Sequence, residues 1–245
     1  MSQVIWAVGD GYNQEGVRIG EMIANSNPSL FLYLGDVYDS GTIEEYEYYN
    51  HAFGKLKSIT HAIPGNHDHC SNLQGYRNYW GHARPYYSFE FCGWKFFCLD
   101  SLLECHPNSS QYLWVERQSL HWNGPVTLCF HEHLFSAGGH GDLDHVGDII
   151  QLFSNRTCIG LSGHTHNMQR FKPVSRYTQF VVGSGGQTLY PLNYTDDRLA
   201  WAGEFHGALK LVYSPEILYH EFVGIDGKVL DSGRIFVDNP VITYL

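Results

Sequence analysis

With 245 residues, 43% of them apolar, the chain can bury one large core, and no linker, low-complexity tract or repeat divides it, so a single domain over residues 1–245 is expected. Lys and Arg number 15 against 25 Asp and Glu, and a net charge of −10 argues against a basic groove for nucleic acid and against a site for acidic lipid. No run nears the ~20 apolar residues of a membrane helix, and the chain opens directly on an apolar strand without the basic and long apolar regions of a leader, which predicts a cytoplasmic protein.

Residues 4–8 read as a buried strand, followed at once by Gly9-Asp10, and residues 13–25 carry Val17, Met22 and Ile23 at roughly helical spacing. A second buried strand over 30–34 ends in Gly35-Asp36-Val37-Tyr38. Thr42 and Glu45 have the spacing of a capping box, opening a helix with Tyr46, Tyr49, Phe53 and Leu56 on one face. Residues 59–63 form a third strand, which Pro64-Gly65 turns into Asn66-His67-Asp68. Residues 70–91, rich in aromatics, Gly and Asn, read as a long surface loop ending in a strand. The apolar run 94–99 ends at Asp100, and Ser109 or Ser110 caps a helix reaching Leu120. Strand 126–130 leads into His131-Glu132-His133, a helix is expected over 142–153, and strand 157–161 leads into Ser162-Gly163-His164-Thr165-His166. Beyond that the chain turns strand-rich, over 180–183, 208–213, 217–223 and 229–237, with Asp226-Gly227 as a hairpin turn.

Alternating strands and helices followed by strands alone suggest two stacked sheets flanked by helices. The six cysteines form no CxxC pair, and Cys98, Cys129 and Cys158 lie in apolar runs. A reduced, intracellular setting is the simpler reading, with a disulfide between Cys92 and Cys105 as the alternative.

The polar residues at the strand ends carry the functional argument. Asp10, Asp36, Asn66, His131, His164 and His166 each follow a buried strand, and ligands of α/β sheets gather at such carboxyl ends. Oxygen and imidazole donors suit Zn, Fe or Mn better than a thiolate site would. They are too many for one tetrahedral ion and suit two ions sharing a carboxylate. Each residue alone is as well explained by a turn or a satisfied core position; the combined order carries the signal.

That order resembles the calcineurin-like metallophosphoesterases, and within them the purple acid phosphatase branch. Gly163-His164-Thr165-His166 through Arg170 is similar to a GHxHxxxR segment, residues 131–141 to a segment in which a metal histidine is followed by a substrate-side histidine, and residues 181–186 to a late Gly-rich turn. The resemblance implies a four-layer α/β/β/α sandwich of two mixed sheets. It implies two metal ions, Fe with Fe, Zn or Mn: one on Asp10, Asp36 and His166, the other on Asp36, Asn66, His131 and His164. A tyrosinate ligand would be Tyr38, one residue short of the family's GDxxY spacing, or Tyr12, which stands where other members have a histidine. Arg170 reads as a structural ion-pair residue.

The implied chemistry is attack on phosphorus by a hydroxide made at the ion pair. His67 would be the general acid, oriented by Asp68, with Asn66, His67, His133 and His140 facing the phosphate. The expected substrate is a small phosphomonoester, with no nucleic acid or membrane partner; a diester of a small or cyclic nucleotide, or a catalytically silent metal-binding scaffold, are the alternatives. Oligomeric state is left open.

Overall fold

The computed structural model describes residues 3–81 and 85–237; residues 1–2, 82–84 and 238–245, which the expected domain and the expected 70–91 loop include, lie outside the described residues. β1 (Gln3–Val8) feeds α1 (Asn13–Asn25), β2 (Leu30–Tyr33) feeds α2 (Ile43–Phe53), and β3 (Thr60–Ala62) feeds α3 (Asn66–His69) and α4 (Gln74–Trp80). The second stretch runs β4 (Tyr87–Phe91), β5 (Trp94–Cys98), α5 (Ser110–Ser119), β6 (Val126–Cys129), α6 (Gly147–Gln151) and β7 (Cys158–Ser162). Six strands follow: β8 (Met168–Phe171), β9 (Tyr177–Val182), β10 (Leu199–Gly203), β11 (Gly207–Tyr213), β12 (Ile217–Gly224) and β13 (Val229–Phe236).

One sheet has the order β13-β12-β11-β1-β2-β3, and the other β10-β8-β9-β7-β6-β5-β4. β1, β2 and β3 are mutually parallel, as are β5, β6, β7 and β9, while the remaining pairs are antiparallel. β2, β6 and β7 are buried along their whole length, which is why they read as largely apolar runs. The two-residue period splits β5 between the two layers: Phe96 joins the core between the sheets, with Ile159, Leu161 and Phe180, and Phe97 joins a second core with Val115 of α5 and Ile149 of α6. Ile19, Ile23, Tyr46, Tyr49 and Tyr76, from α1, α2 and α4, pack with the first sheet. Among the described residues no helix is long and apolar enough to cross a membrane.

The capping box forms as read: Thr42 Oγ1 accepts from Glu45 N at 3.2 Å, and the Glu45 carboxylate accepts from Thr42 N at 2.8 Å. Ser109 caps α5 through Tyr112 N, and Gly227 sits at φ +80° in the β12–β13 hairpin.

Several segments differ from the sequence reading, among them β10, which it did not foresee. The 70–91 stretch contains α4, where Tyr79 packs on Tyr46 and Tyr49 of α2, Trp80 packs on Tyr49, and Tyr76 donates to Ala62 O. The expected 142–153 helix shrinks to a single 3-10 turn and α6. Asp142 and Leu143 are tied back to the 134–136 loop by Ser136 N and Leu134 O instead. β8 escaped notice because its buried Gln169 breaks the apolar alternation; that amide bonds Ala137 N and Asn167 Oδ1. All six cysteines are free thiols, so Cys92 and Cys105 are not joined.

Arg170 on β8 reaches across to Asp231 on β13 with two bonds of 2.7 and 2.9 Å, joining the two sheets. Losing this forked, largely buried pair in Arg170→Ala is expected to cost roughly 1–3 kcal/mol in urea unfolding with turnover intact. Lost turnover at unchanged stability would instead place Arg170 in the site.

Candidate metal centre

The residues following β1, β2, β3, β6 and β7 converge on one point between the two sheets. The backbone makes this possible by reversing sharply as each strand ends: Asp10, Asp36 and His164 all sit in the left-handed region, at φ 61°, 64° and 65°. Non-glycine residues are uncommon there, and their presence at three converging strand ends marks stored strain of the kind functional sites keep. The glycines beside them have a packing reason. A Cβ on Gly65 would fall on Asp36 Oδ1, and one on Gly163 would lie 2.5 Å from Asp10 Oδ2.

Asp10 and Asp36 are buried, and the groups facing them are imidazoles, a phenol and backbone N–H. Tyr38 Oη lies 2.6 Å from Asp10 Oδ1, 3.1 Å from Asp36 Oδ2 and 2.9 Å from His166 Nε2. His166 Nε2 is itself 3.3 Å from Asp10 Oδ1. A hydroxyl carries one hydrogen, so it cannot satisfy three acceptors at once. Burial, then the charges of Asp10 and Asp36, push the phenol far above its ordinary pKa. Four potential ligand atoms thus crowd around one point.

A second group adjoins it. His131 Nε2 lies 3.2 Å from Asp36 Oδ2 and 3.1 Å from Asn66 Oδ1, while its Nδ1 sits 2.8 Å from the Leu34 carbonyl oxygen. A carbonyl only accepts, so Nδ1 donates and Nε2 faces two oxygens. Burial alone would depress His131, but the Asp36 charge and hydrogen bond, with Asp10, carry it up to about 10. An added proton is one way to reconcile that contact; a cation is the other. The His164 ring packs 5.1 Å from the His131 ring, and its backbone N donates to Asp10 Oδ2 at 3.0 Å. Burial first, then His131, His140 and His133, push His164 down to about 2, so its ring is neutral and keeps a free lone pair. Ligand atoms of Asp10, Asp36 and His131 all fall within 4.8 Å of one another.

The calcineurin-like phosphoesterase profile matches residues 10–168, more than half of the chain and the whole span from Asp10 to His166. The chain belongs to the calcineurin-like phosphoesterase family. It is 30% identical over 160 residues to a 3′,5′-cyclic-nucleotide phosphodiesterase of Nostoc, covering 61% of this chain and 52% of that protein. A 47-residue stretch is 40% identical to a probable glycerophosphodiester phosphodiesterase of Arcobacter nitrofigilis, covering 19% of this chain and 17% of that protein. The chain thus spans about half or less of the curated relatives it matches. Its fold superposes on a purple acid phosphatase from yellow lupin with TM-score 0.84 at 18% identity, over 96% of this chain and 54% of the lupin chain.

As a member of this family the chain is expected to hold metal, and its residues fit. The Nδ1 of His166 lies 2.9 Å from the Thr188 carbonyl oxygen, as His131 Nδ1 does from Leu34, so both imidazoles have the outer nitrogen anchored and Nε2 turned inward. Tyr38, one residue short of the family spacing, is in place at the carboxylates. Tyr12 instead packs its ring edge against Tyr38 at 5.7 Å.

Two expected roles are corrected. Asp68 does not orient His67: its Oδ2 accepts from Asp36 N at 3.0 Å and Gly65 N at 2.8 Å, and its Oδ1 accepts from Tyr46 at 2.8 Å. Those bonds turn the carboxylate into the core, where burial, then Asp36, raise its pKa to about 7. His67 Nδ1 is held instead by the Asp39 carbonyl oxygen at 2.6 Å. Asp68→Ala leaves two buried N–H groups unpaired and is expected to cost roughly 2–4 kcal/mol in urea unfolding. A variant as stable as the parent would refute the bracing role. His133 does not face a substrate either: it is fully buried, with Nε2 spent on Gly141 O at 3.0 Å, and lies behind His164. His140 is exposed and stacks on His164 at 4.1 Å.

The sequence reading missed Tyr190, whose ring stacks on His166 at 4.1 Å and meets His140 at 5.4 Å. It also missed the carbonyls of Thr188 and Asp39. The Gly-rich 183–186 turn was the available signal, since the 187–190 segment leaving it is laid against the site by Gln187 N on Asp10 O and Tyr190 N on His166 O.

Proposed function

We propose that this calcineurin-like phosphoesterase is a dinuclear-metal phosphohydrolase acting on small phosphomonoesters. One observation carries the reading: Asp36 Oδ2 stands 3.1 Å from Tyr38 Oη and 3.2 Å from His131 Nε2, so one carboxylate faces two donor sets. Asp10, Asp36, Tyr38 and His166 would hold one ion, with iron favoured by the phenol, and Asp36, Asn66, His131 and His164 would hold Fe, Zn or Mn. Bound there, the ions supply the positive charge that draws a phosphate into an anionic protein and acidifies water.

The chain's own groups do the rest. His67 donates Nδ1–H to Asp39 O, and its Nε2, 3.9 Å from Asp36 Oδ2, points into the pocket, where a proton can pass to the leaving oxygen. Asp39, His67, His166, Gln187, Thr188 and Tyr190 line an open cleft of about 310 Å³ beside Tyr38, room for a small phosphorylated substrate.

The diester reading has its own support, because both curated relatives are named phosphodiesterases. Metal analysis beside turnover of p-nitrophenyl phosphate and bis(p-nitrophenyl) phosphate separates the readings. Faster monoester turnover supports the proposal, faster diester turnover supports the second reading, and bound metal without turnover of either ester overturns both. Tyr38→Phe is expected to abolish a visible absorption band in iron-loaded protein; a band that survives would remove the phenol from the iron.

A further inference from the structure

A second cleft, of about 440 Å³, opens beside the first and shares Tyr38 and Asp39 with it. Its walls are of two chemical kinds. Tyr38, Tyr12 and Tyr48 form a run of rings, with centroids 5.7 and 6.1 Å apart, leading from the carboxylates toward solvent. Tyr48 at its outer end is 43% exposed. Asp39 and Glu44, both exposed, add carboxylates at the same rim. Glu45 also lines the cleft, but its carboxylate is spent on the N–H groups of Asp39, Ser40 and Thr42. Among the described residues no lysine or arginine lines either cleft. A ligand part lying here meets aromatic faces and negative charge, the surroundings that favour an organic ammonium and disfavour a second anionic group.

Resting on the hydrolase reading above, we propose that this cleft is the leaving-group subsite and that it selects phosphoesters whose alcohol carries an alkylammonium group. The phosphorus then sits at the ligand cluster, a short linker passes Tyr38, and the cation lies over Tyr48 and Tyr12 between Asp39 and Glu44. The same arrangement serves a monoester or a diester, because it reads only the alcohol.

The test compares choline phosphate with 3,3-dimethylbutyl phosphate, its neutral isostere, together with their methyl diesters. Metal-loaded protein is expected to favour the cationic member of each pair by roughly tenfold, in kcat/KM and in affinity by titration calorimetry, the scale of one or two cation–aromatic contacts. Glu44→Gln and Tyr48→Leu are expected to erase several-fold of that preference while leaving the metal content of the protein unchanged. Equal handling of cation and isostere, or a preference untouched by both variants, overturns the subsite. Loss of turnover on every ester overturns only the hydrolase reading, because calorimetry still reports whether the cation is preferred.

Discussion

Replacing Asp36 by Asn is expected to strip the site of metal and to lower kcat roughly 10³-fold, since a bound cation supplies several kcal/mol of charge stabilisation and each 1.4 kcal/mol is tenfold in rate. Oδ2 faces Tyr38 and His131, and Oδ1 accepts from His67 N at 2.9 Å. An amide keeps the size of the side chain but removes the charge and one acceptor. The same substitution removes the strongest of the charges that raise His131. Folded His131, at about 10, binds its proton more tightly than in the unfolded chain. In metal-free protein that group therefore adds stability below its unfolded pKa of about 6.5, and the contribution is lost as pH rises through 10. The metal-free Asp36→Asn variant should show a flatter stability profile over that window. Elemental analysis finding a full metal complement in Asp36→Asn, with parental turnover, would defeat the shared-carboxylate arrangement.

His67→Ala is expected to lower kcat by about 10²–10⁴, the range for a lost general acid, with metal content unchanged. The structure explains why the two should separate. The link from residue 67 to Asp36 Oδ1 runs through the backbone N–H, which alanine keeps, while the lost ring packs on Tyr38 at 4.3 Å, bonds Asp39 O and stands 3.9 Å from Asp36 Oδ2. The loss should grow as the leaving group worsens, so an alkyl phosphate should suffer more than p-nitrophenyl phosphate, whose phenolate departs unprotonated. Equal losses on both esters would show that His67 does not deliver a proton to the leaving oxygen.

The strand ends were legible because their signal is local. A buried parallel strand usually reads as an apolar run that stops at a polar residue. Asp10, Asp36, Asn66 and His164 each follow a glycine at such an end, His131 follows its strand directly and His166 comes two residues after His164, and the two sheets bring them together. Thr42 with Glu45 was legible for the same reason, since a capping box is closed within four residues.

What stayed hidden depends on contacts far apart in sequence. Asp68 adjoins His67, yet its oxygens are taken by Asp36 N, Gly65 N and Tyr46, so proximity along the chain misassigned its partner. His133 lies two residues past His131, but on a chain leaving the strand end it turns inward to Gly141 O. Tyr190 reaches His166 only because the 183–190 segment folds back across both sheets. The sequence by itself determined which side chains stand at the ends of buried strands, because burial and turn chemistry are written into short stretches. Only the tertiary structure decided which way each carboxylate and imidazole faces, because orientation is set by whichever distant donor or acceptor reaches it when the two sheets pack.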